Sequence, residues 1–416
     1  MKTYLRVVRS VVVVLVLVAP PSAAAQAPAS VTRLTREDAV ALALRGSPTL
    51  RAKGLEVRAS QANEVTAGLR PNPTASYAAD QLGGRTTDPQ YTVSVGQTIE
   101  TGGKRERRVA SARAATRVVG YELDDVRRQV VALVKKAFTD VLVAQATLAL
   151  AQENLKSIDE VERLQRLRAE RGDISELELL RIQVQRFAFE RDASDARLAI
   201  AAAKITLRQV VGGSGVDSQF EVVGDLDFRE IVPSRDDLYR RALDNRPDLR
   251  AAEATRARAR TDNELAHANA WWDVTPQISY QRIGPDNTIG VGVSVPLRIF
   301  DRNQGEIART RAEIDRTDAL REVARAQVLA DVDGALSVLT IQRERVVVLR
   351  GTYLPKAQQA RDTVGFAYQR GGVSLLDFLD AQRTYRETAL EHLRALGNYW
   401  GAFYQLEAAA GGGVEP

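Results

Sequence analysis

The residue types that most often carry out chemistry are scarce in this chain. Its 416 residues include two histidines, His267 and His392, one methionine and no cysteine. Thiolate nucleophiles, disulfides and thiolate metal sites are therefore excluded. Each histidine stands alone on a predicted helix, which is typical of a surface position. The sequence also lacks a nucleophile elbow, a Walker loop and a dinucleotide fingerprint, so it predicts no enzyme, cofactor or bound metal.

Two short features resemble functional motifs. Gly102 and Gly103, followed by Lys104, superficially suggest a phosphate-binding loop. They lack its spacing and its Ser or Thr, so a strand-to-helix turn is the better interpretation. Asp377 and Asp380 are three residues apart, which places both carboxylates on one face of a helix. Near a helix N-terminus, such a pair also interacts favourably with the helix dipole.

The N-terminal segment predicts a secretory signal. Three basic residues precede an apolar run over 11–19, and small residues follow it up to Ala25. The run is well short of the roughly 20 residues of a spanning helix, so we expect cleavage after Ala25. Cleavage would leave 55 basic residues (58 − 3) against 53 acidic ones, a net charge of +2. That charge does not favour a nucleic-acid partner.

An internal repeat sets the organisation of the chain. Residues 35–51 return at 234–250, and residues 171–180 return at 370–379, with one offset of 199 residues in both cases (234 − 35 and 370 − 171). This pattern indicates a duplicated unit. The predicted segments are the signal 1–25, an N-terminal extension 26–34, a first unit 35–212, a linker 213–233 with a short strand, a second unit 234–411 and a tail 412–416.

Each unit has the same predicted elements. Capped helices open the units at Thr35 with Asp38 and at Ser234 with Asp237. Alternating apolar residues then predict two strands per unit, and long proline-poor stretches predict a helical hairpin. The predicted strands cover 73–82, 91–99, 274–283 and 288–299, and the hairpins cover 104–211 and 304–410.

The first long helix carries a heptad seam. Its apolar residues are spaced four and three apart without a break, which predicts coiled-coil packing; they are Val130, Val134, Ala137, Val141, Ala144, Leu148, Ala151, Leu155 and Ile158. In the second unit Val332, Leu339, Val346 and Tyr353 keep heptad spacing, and Pro355 predicts a local distortion. Glycines at 172 and 371 supply the turns that reverse the hairpins.

Four strands cannot close a barrel, and an open sheet edge in lipid leaves backbone groups unpaired. Three chains with four strands each would give a closed barrel of twelve. We therefore expect a mainly helical fold with a small β part, in which long hairpins extend the barrel as a tube. The aromatic residues Trp271, Trp272, Tyr77, Tyr91 and Tyr280 would anchor it at the membrane interface or pack against a neighbouring chain.

In its duplicated order of motifs, the chain resembles the TolC family of outer-membrane efflux proteins. The residues that carry the likeness are 48–50 and 247–249, 97–105, the paired Arg-Gly-x-x-Ser reversals and 368–382. The resemblance implies a homotrimer with a twelve-stranded β-barrel in a Gram-negative outer membrane, continued by a twelve-helix periplasmic α-barrel. Its implied function is an exit duct in a tripartite efflux system. Without cysteine, the chain lacks the N-terminal lipid anchor of some members.

The resemblance also implies partners. These are outer-membrane lipid, a periplasmic adaptor protein and an inner-membrane pump, expected to be of the resistance-nodulation-division type. The adaptor would dock on the hairpin tips, whose residues are Gly172, Asp173, Ile174, Ser175, Gly371, Gly372, Val373 and Ser374. The segment 97–105 resembles the cobalt–zinc–cadmium branch, while drug efflux and protein export stay open as alternatives.

The resemblance further implies roles for residues at the periplasmic entrance. Asp377 and Asp380 match acidic residues that line the entrance, and Glu178, the repeat partner of Asp377, is expected near them. Tyr368 matches a tyrosine of a closing hydrogen-bond network, but Val373 stands where that network has a basic residue. The competing interpretation of the whole chain is a secreted coiled-coil adaptor or scaffold. A typical adaptor has only one helical hairpin, whereas this chain has two.

Overall fold

The computed structural model describes residues 32–83, 88–212 and 219–413. The predicted signal, with its cleavage site after Ala25, lies outside these ranges, as do parts of the first strand connection, the linker and the tail. Within the described residues the chain is mainly helical with a small β part, which confirms the predicted fold class.

The elements follow one order in the two halves of the chain, with a short strand, two helices, two longer strands and a long helical hairpin. The first half comprises β1 Thr32–Leu34, α1 Arg36–Gly46, α2 Pro48–Ala67, β2 Thr74–Asp80, β3 Gln90–Gly96, α3 Lys104–Glu170 and α4 Glu176–Val211. The second comprises β4 Phe220–Val222, α5 Arg235–Asn245, α6 Pro247–Asn269, β5 Thr275–Ile283, β6 Asp286–Ser294, α7 Gln304–Val348, α8 Leu354–Gln369 and α9 Leu375–Ala409.

The two predicted helix caps differ in outcome. At the start of α1 the Thr35 hydroxyl donates to the Asp38 carboxylate over 2.6 Å, and the capping box is complete. The box predicted at Ser234 is wrong, since its side chain makes no capping hydrogen bond. Asp237, which would complete that box, pairs with Arg240 instead.

The four long strands form one antiparallel sheet in the order β2-β3-β5-β6. Strand β6 ends at Ser294, earlier than predicted, shortly before Pro296, which has no N–H for a ladder. Among the described residues, the outer edges of β2 and β6 have no pairing partner. These two edges are therefore open in the single chain.

The register gives this sheet two different faces. One face is mainly apolar; it carries Ala75, Tyr77, Tyr91, Val93, Val95, Ile278, Tyr280, Ile289, Val291 and Val293. The opposite face is polar and mostly uncharged; it carries Thr74, Ser76, Thr92, Ser94, Gln277, Ser279, Gln281, Thr288 and Ser294. The arrangement suits a sheet between lipid and water.

The short strands β1 and β4 pair in parallel and join the two halves near the middle of the molecule. The sequence suggested β4 but gave no sign of β1. Next to this pair, α9 packs against residues 229–231, which lie between β4 and α5. The Tyr399 hydroxyl donates to the carbonyl of Arg229 over 2.6 Å and accepts from the N–H of Ile231 over 3.2 Å.

The long hairpins pack along the predicted seam, with two differences. On α3 most seam residues are buried, but the polar side chains of Asn154 and Gln165 are buried there too. Tyr353, expected on the second seam, is 57% exposed. A π-helical turn over Leu349–Tyr353, just before Pro355, rotates it out of register.

Candidate functional site

The candidate site is the pair of hairpin tips. Both chain reversals use a glycine in the left-handed region, with φ of +76° at Gly172 and +77° at Gly371. A serine then begins the returning helix at each tip. Ser175 caps α4 by accepting from the N–H of Glu178 over 3.3 Å. The two tips are therefore similar in backbone but differ in side chains.

Asp377 belongs to a capping box at the second tip. Its carboxylate accepts from the Ser374 hydroxyl over 2.6 Å and from the Ser374 N–H over 3.1 Å. These two hydrogen bonds hold the pKa of Asp377 below its usual range, and the bond from the hydroxyl has the larger effect. The side chain is exposed, so this carboxylate is a fixed and hydrated negative charge at the tip.

Asp380 lies one turn further along α9 and is also exposed. Its carboxylate pairs with Arg383 over 2.7 Å on the same helix. Such exposed pairs contribute little to stability. The arginine offsets part of the charge that Asp380 presents at the tip.

Tyr368 lies between the two hairpins. Its side chain is 4% exposed and stacks on Phe378 with ring centroids 4.9 Å apart. Burial raises the pKa of Tyr368 to about 12, with Arg168 lowering it and Glu178 raising it to smaller extents. The structure thus brings Tyr368 into the electrostatic range of Glu178.

The hydroxyl of Tyr368 is buried and has no hydrogen-bond partner among the described residues. Val373 packs against the apolar cluster that contains Tyr368, at the position where the family network has a basic residue. The tips are instead joined by Arg168, which donates to the carbonyl of Gln369 over 2.7 Å. A closing bond from the tyrosine is not formed in this arrangement.

Two buried polar side chains near the site were missed by sequence reasoning. Asn154 and Gln165 are 3% and 2% exposed, and the Nδ2 of Asn154 and the Oε1 of Gln165 have no partner among the described residues. Their heptad spacing relative to Ile158 and Val161 was the signal that could have identified them. They place polar atoms in an otherwise apolar seam, in the half of α3 that is nearer to the tips.

Other sequence candidates lie elsewhere. Lys104 is buried and its Nζ pairs with Asp273 Oδ1 over 2.7 Å, which is consistent with a strand-to-helix turn. His392, expected at the surface, is half-buried, and burial with the nearby Arg350 lowers its pKa.

Within the described ranges, no group of three or more His, Cys, Asp or Glu residues is arranged to hold a metal ion. None of the described helices has a stretch long and apolar enough to cross a membrane.

Both halves of the chain match one known family model. The family model for outer membrane efflux proteins matches residues 39–213 and 238–412, two segments that begin 199 residues apart (238 − 39). The cobalt-zinc-cadmium resistance protein CzcC of Cupriavidus metallidurans is 27% identical over 383 residues, covering 91% of this chain and 90% of that protein.

Solved structures show the same fold. The open-state outer-membrane channel MtrE of Neisseria gonorrhoeae is 19% identical, with a TM-score of 0.75 over 91% of this chain and 89% of that one. The outer-membrane protein VceC of Vibrio cholerae is 19% identical, with a TM-score of 0.73 over 91% of this chain and 97% of that one.

The paired hairpins and the two-faced sheet, together with these matches, define an outer-membrane channel. The chain belongs to the outer membrane efflux protein family, which confirms its resemblance to TolC-like proteins. It is an outer-membrane duct of tripartite efflux rather than a periplasmic adaptor. Its family is one of transport proteins, which work as trimeric channels with an adaptor and an inner-membrane pump.

Proposed function

We propose that this channel is the exit duct for divalent transition-metal cations such as those of cobalt, zinc and cadmium. The observation that carries the proposal is the similarity to a cobalt-zinc-cadmium resistance protein, which extends over 91% of this chain. The duct has no reaction of its own. An inner-membrane pump of the resistance-nodulation-division type supplies the energy, and the duct supplies a water-filled path.

Asp377, Asp380 and Glu178 act at the periplasmic entrance in this proposal. Asp377 and Asp380 are exposed on the first turns of α9, and Glu178 lies at the matching position of α4. Threefold symmetry would repeat these carboxylates around the entrance and attract cations to it. Tyr368, buried behind them, would hold the hairpins together by packing and not by a hydrogen bond.

The adaptor would dock on the two turns at the tips. The first covers Gly172, Asp173, Ile174 and Ser175, and the second covers Gly371, Gly372, Val373 and Ser374. Both turns reverse through a left-handed glycine, so they project similarly shaped backbones. We also propose that the mature chain begins after Ala25, that its two units divide at 213–233, and that three chains close a twelve-stranded barrel with the apolar sheet face toward lipid.

Deletion of the gene in its host tests the proposed cargo. We expect the concentrations of Cd²⁺, Zn²⁺ and Co²⁺ that halve growth to fall several-fold, because the pump then lacks its exit. Complementation with the full chain should restore tolerance. Unchanged metal tolerance together with new sensitivity to dyes or detergents would contradict metal efflux and support the export of organic compounds.

A further inference from the structure

We propose that the loop Phe300–Arg302 of each protomer packs into a cavity of the neighbouring protomer, just below the sheet, and locks the trimer there. The inference rests on the proposed trimer. The cavity is lined by residues 70–73, 97–100 and 104–106.

The loop has an exposed aromatic residue on a fixed backbone. Phe300 is 89% exposed and lies between the end of β6 and the start of α7. Asn303 adopts a left-handed conformation with φ of +60°, and its Nδ2 donates to the carbonyl of Ala266 over 2.7 Å. A phenyl ring held this far into solvent on an anchored loop has an unfavourable exposed apolar surface in the single chain.

The cavity has the size and chemistry to receive this loop. Its volume is about 560 Å³. Its lining includes Pro73 and Ile99, which offer apolar contact to a ring, and the charged residues Arg70 and Glu106. Neither of these two charged side chains forms a salt bridge with another described residue.

The direction of the strands brings the loop to this cavity. Strand β2 runs away from the helices, and β6 returns toward them at the opposite edge of the sheet. Closure of a barrel requires each open β6 edge to pair with the β2 edge of the next protomer. The residues after β6 then lie beside the residues before the neighbour's β2, which are 70–73.

The internal repeat gives a template for the contact. Within one protomer the N–H of Thr101 donates to Asp273 Oδ1 over 3.0 Å, so the first unit contacts the second just below the sheet. Gly103 and Asn303, the left-handed residues before α3 and α7, place Asp301 at the level of Thr101. The first residues of β2 and β5 place Asn72 at the level of Asp273. The equivalent contact between protomers therefore sets Asp301, next to Phe300, against Asn72, next to Pro73.

The charges on the two sides are complementary. The loop carries Asp301 and Arg302, and the cavity lining carries the opposite charges Arg70 and Glu106. The side chain of Arg302 has no salt-bridge partner among the described residues of its own protomer. The neighbouring chain thus supplies opposite charges to groups that lack them within one chain.

Cysteine cross-linking tests the contact, because the chain has no cysteine of its own. The variant Phe300→Cys with Asn72→Cys, in outer membranes treated with a short bis-maleimide, should give covalent dimers and trimers on denaturing gels. Each single variant should remain monomeric. Phe300→Cys with Leu376→Cys is the control, since Leu376 is also exposed but lies at the opposite end of the long helices.

An amine-reactive cross-linker separates the possible failures. If it captures trimers while the Phe300→Cys and Asn72→Cys pair stays monomeric, the lock is wrong and the trimer stands. If both reagents leave monomers, the trimer and the proposed duct are overturned together. As a second measurement, Phe300→Ala should lower the temperature at which the trimer dissociates in detergent, and an unchanged temperature would also contradict the lock.

Discussion

At the scale of single residues, the buried hydroxyl of Tyr368 reduces stability. It has lost its water and gained no hydrogen bond among the described residues. Tyr399 is the opposite case, since its buried hydroxyl both donates to Arg229 and accepts from Ile231. Removal of the hydroxyl should therefore have opposite effects on stability at these two tyrosines, which lie on the same hairpin.

We expect Tyr368→Phe to leave the thermal midpoint unchanged or to raise it, because an unpaired buried group costs about 1–3 kcal/mol. Tyr399→Phe should lower the midpoint, because it removes two hydrogen bonds worth about 1 kcal/mol each. Unfolding in detergent, followed by near-ultraviolet circular dichroism, measures both. A drop for Tyr368→Phe as large as that for Tyr399→Phe would show that Tyr368 forms a closing hydrogen bond in solution.

The sequence predicts part of this residue-scale chemistry. The spacing of Asp377 and its place near a helix start foretell its interaction with the N-terminus of α9. The surroundings of Tyr368 do not follow from the sequence, because they depend on how two hairpins pack that are nearly 200 residues apart along the chain. The failed cap at Ser234 has a different cause, since local competition by Arg240 decides the partner of Asp237.

At the scale of elements, the sheet is amphipathic across its thickness. Val93 and Thr92 are neighbours on β3 and point to opposite faces. Val93 is opposite Tyr280 on the apolar face, and Thr92 is opposite Gln281 on the polar face. The two positions thus form a matched pair for a charged substitution.

We expect Val93→Arg to reduce the amount of folded channel in the outer membrane, because an arginine facing lipid near the bilayer midplane costs about 2–4 kcal/mol. Thr92→Arg should assemble normally and change conductance, because its charge enters the water-filled path. Heat-modifiable migration on gels measures assembly, and planar bilayers measure conductance. If Val93→Arg assembles normally while Thr92→Arg reduces the amount of folded channel, the assignment of the two faces is reversed.

Periodicity predicts these elements well where a single pattern runs without interruption. Alternation along the strands identifies both faces of the sheet from the sequence alone. The heptad rule fails at Tyr353, because the π-helical turn before Pro355 adds a residue to one helical turn. Strand β1 was missed because three residues are too few for a period, and its pairing with β4 is set by tertiary contacts.

At the scale of the whole molecule, the tip carboxylates act as a set. One chain presents Asp377 and Asp380, and a trimer would present three such pairs around one entrance. Neither residue is buried, so their effect on ions comes from number and symmetry. That property exists only in the assembled channel.

We expect Asp377→Asn with Asp380→Asn to weaken block by a trivalent cation added from the periplasmic side. Asparagine keeps the acceptor oxygen that Ser374 needs and removes the charge. The half-blocking concentration should rise roughly tenfold, which corresponds to a loss of about 1.4 kcal/mol of attraction. Single-channel recording in planar bilayers measures the block.

The matched control for this entrance prediction is Glu313→Gln. Glu313 pairs with Arg316 three residues on, as Asp380 pairs with Arg383, but it lies on α7 far from the tips. Its loss should leave the block unchanged. If both changes weaken the block equally, the cation responds to overall charge, and Asp377 and Asp380 do not line the entrance.

The last turns of α9 affect how the chain folds. Tyr404 accepts a hydrogen bond from Arg36, 368 residues earlier, over 2.9 Å, and Glu407 pairs with Lys135 over 2.6 Å. The first half of the molecule is thus completed by residues that are synthesised at least 272 positions later. Contacts this distant in sequence make folding slow, because a long loop must close before they form. The first half therefore stays unfinished until α9 has been translocated, and it depends during that interval on protection from aggregation.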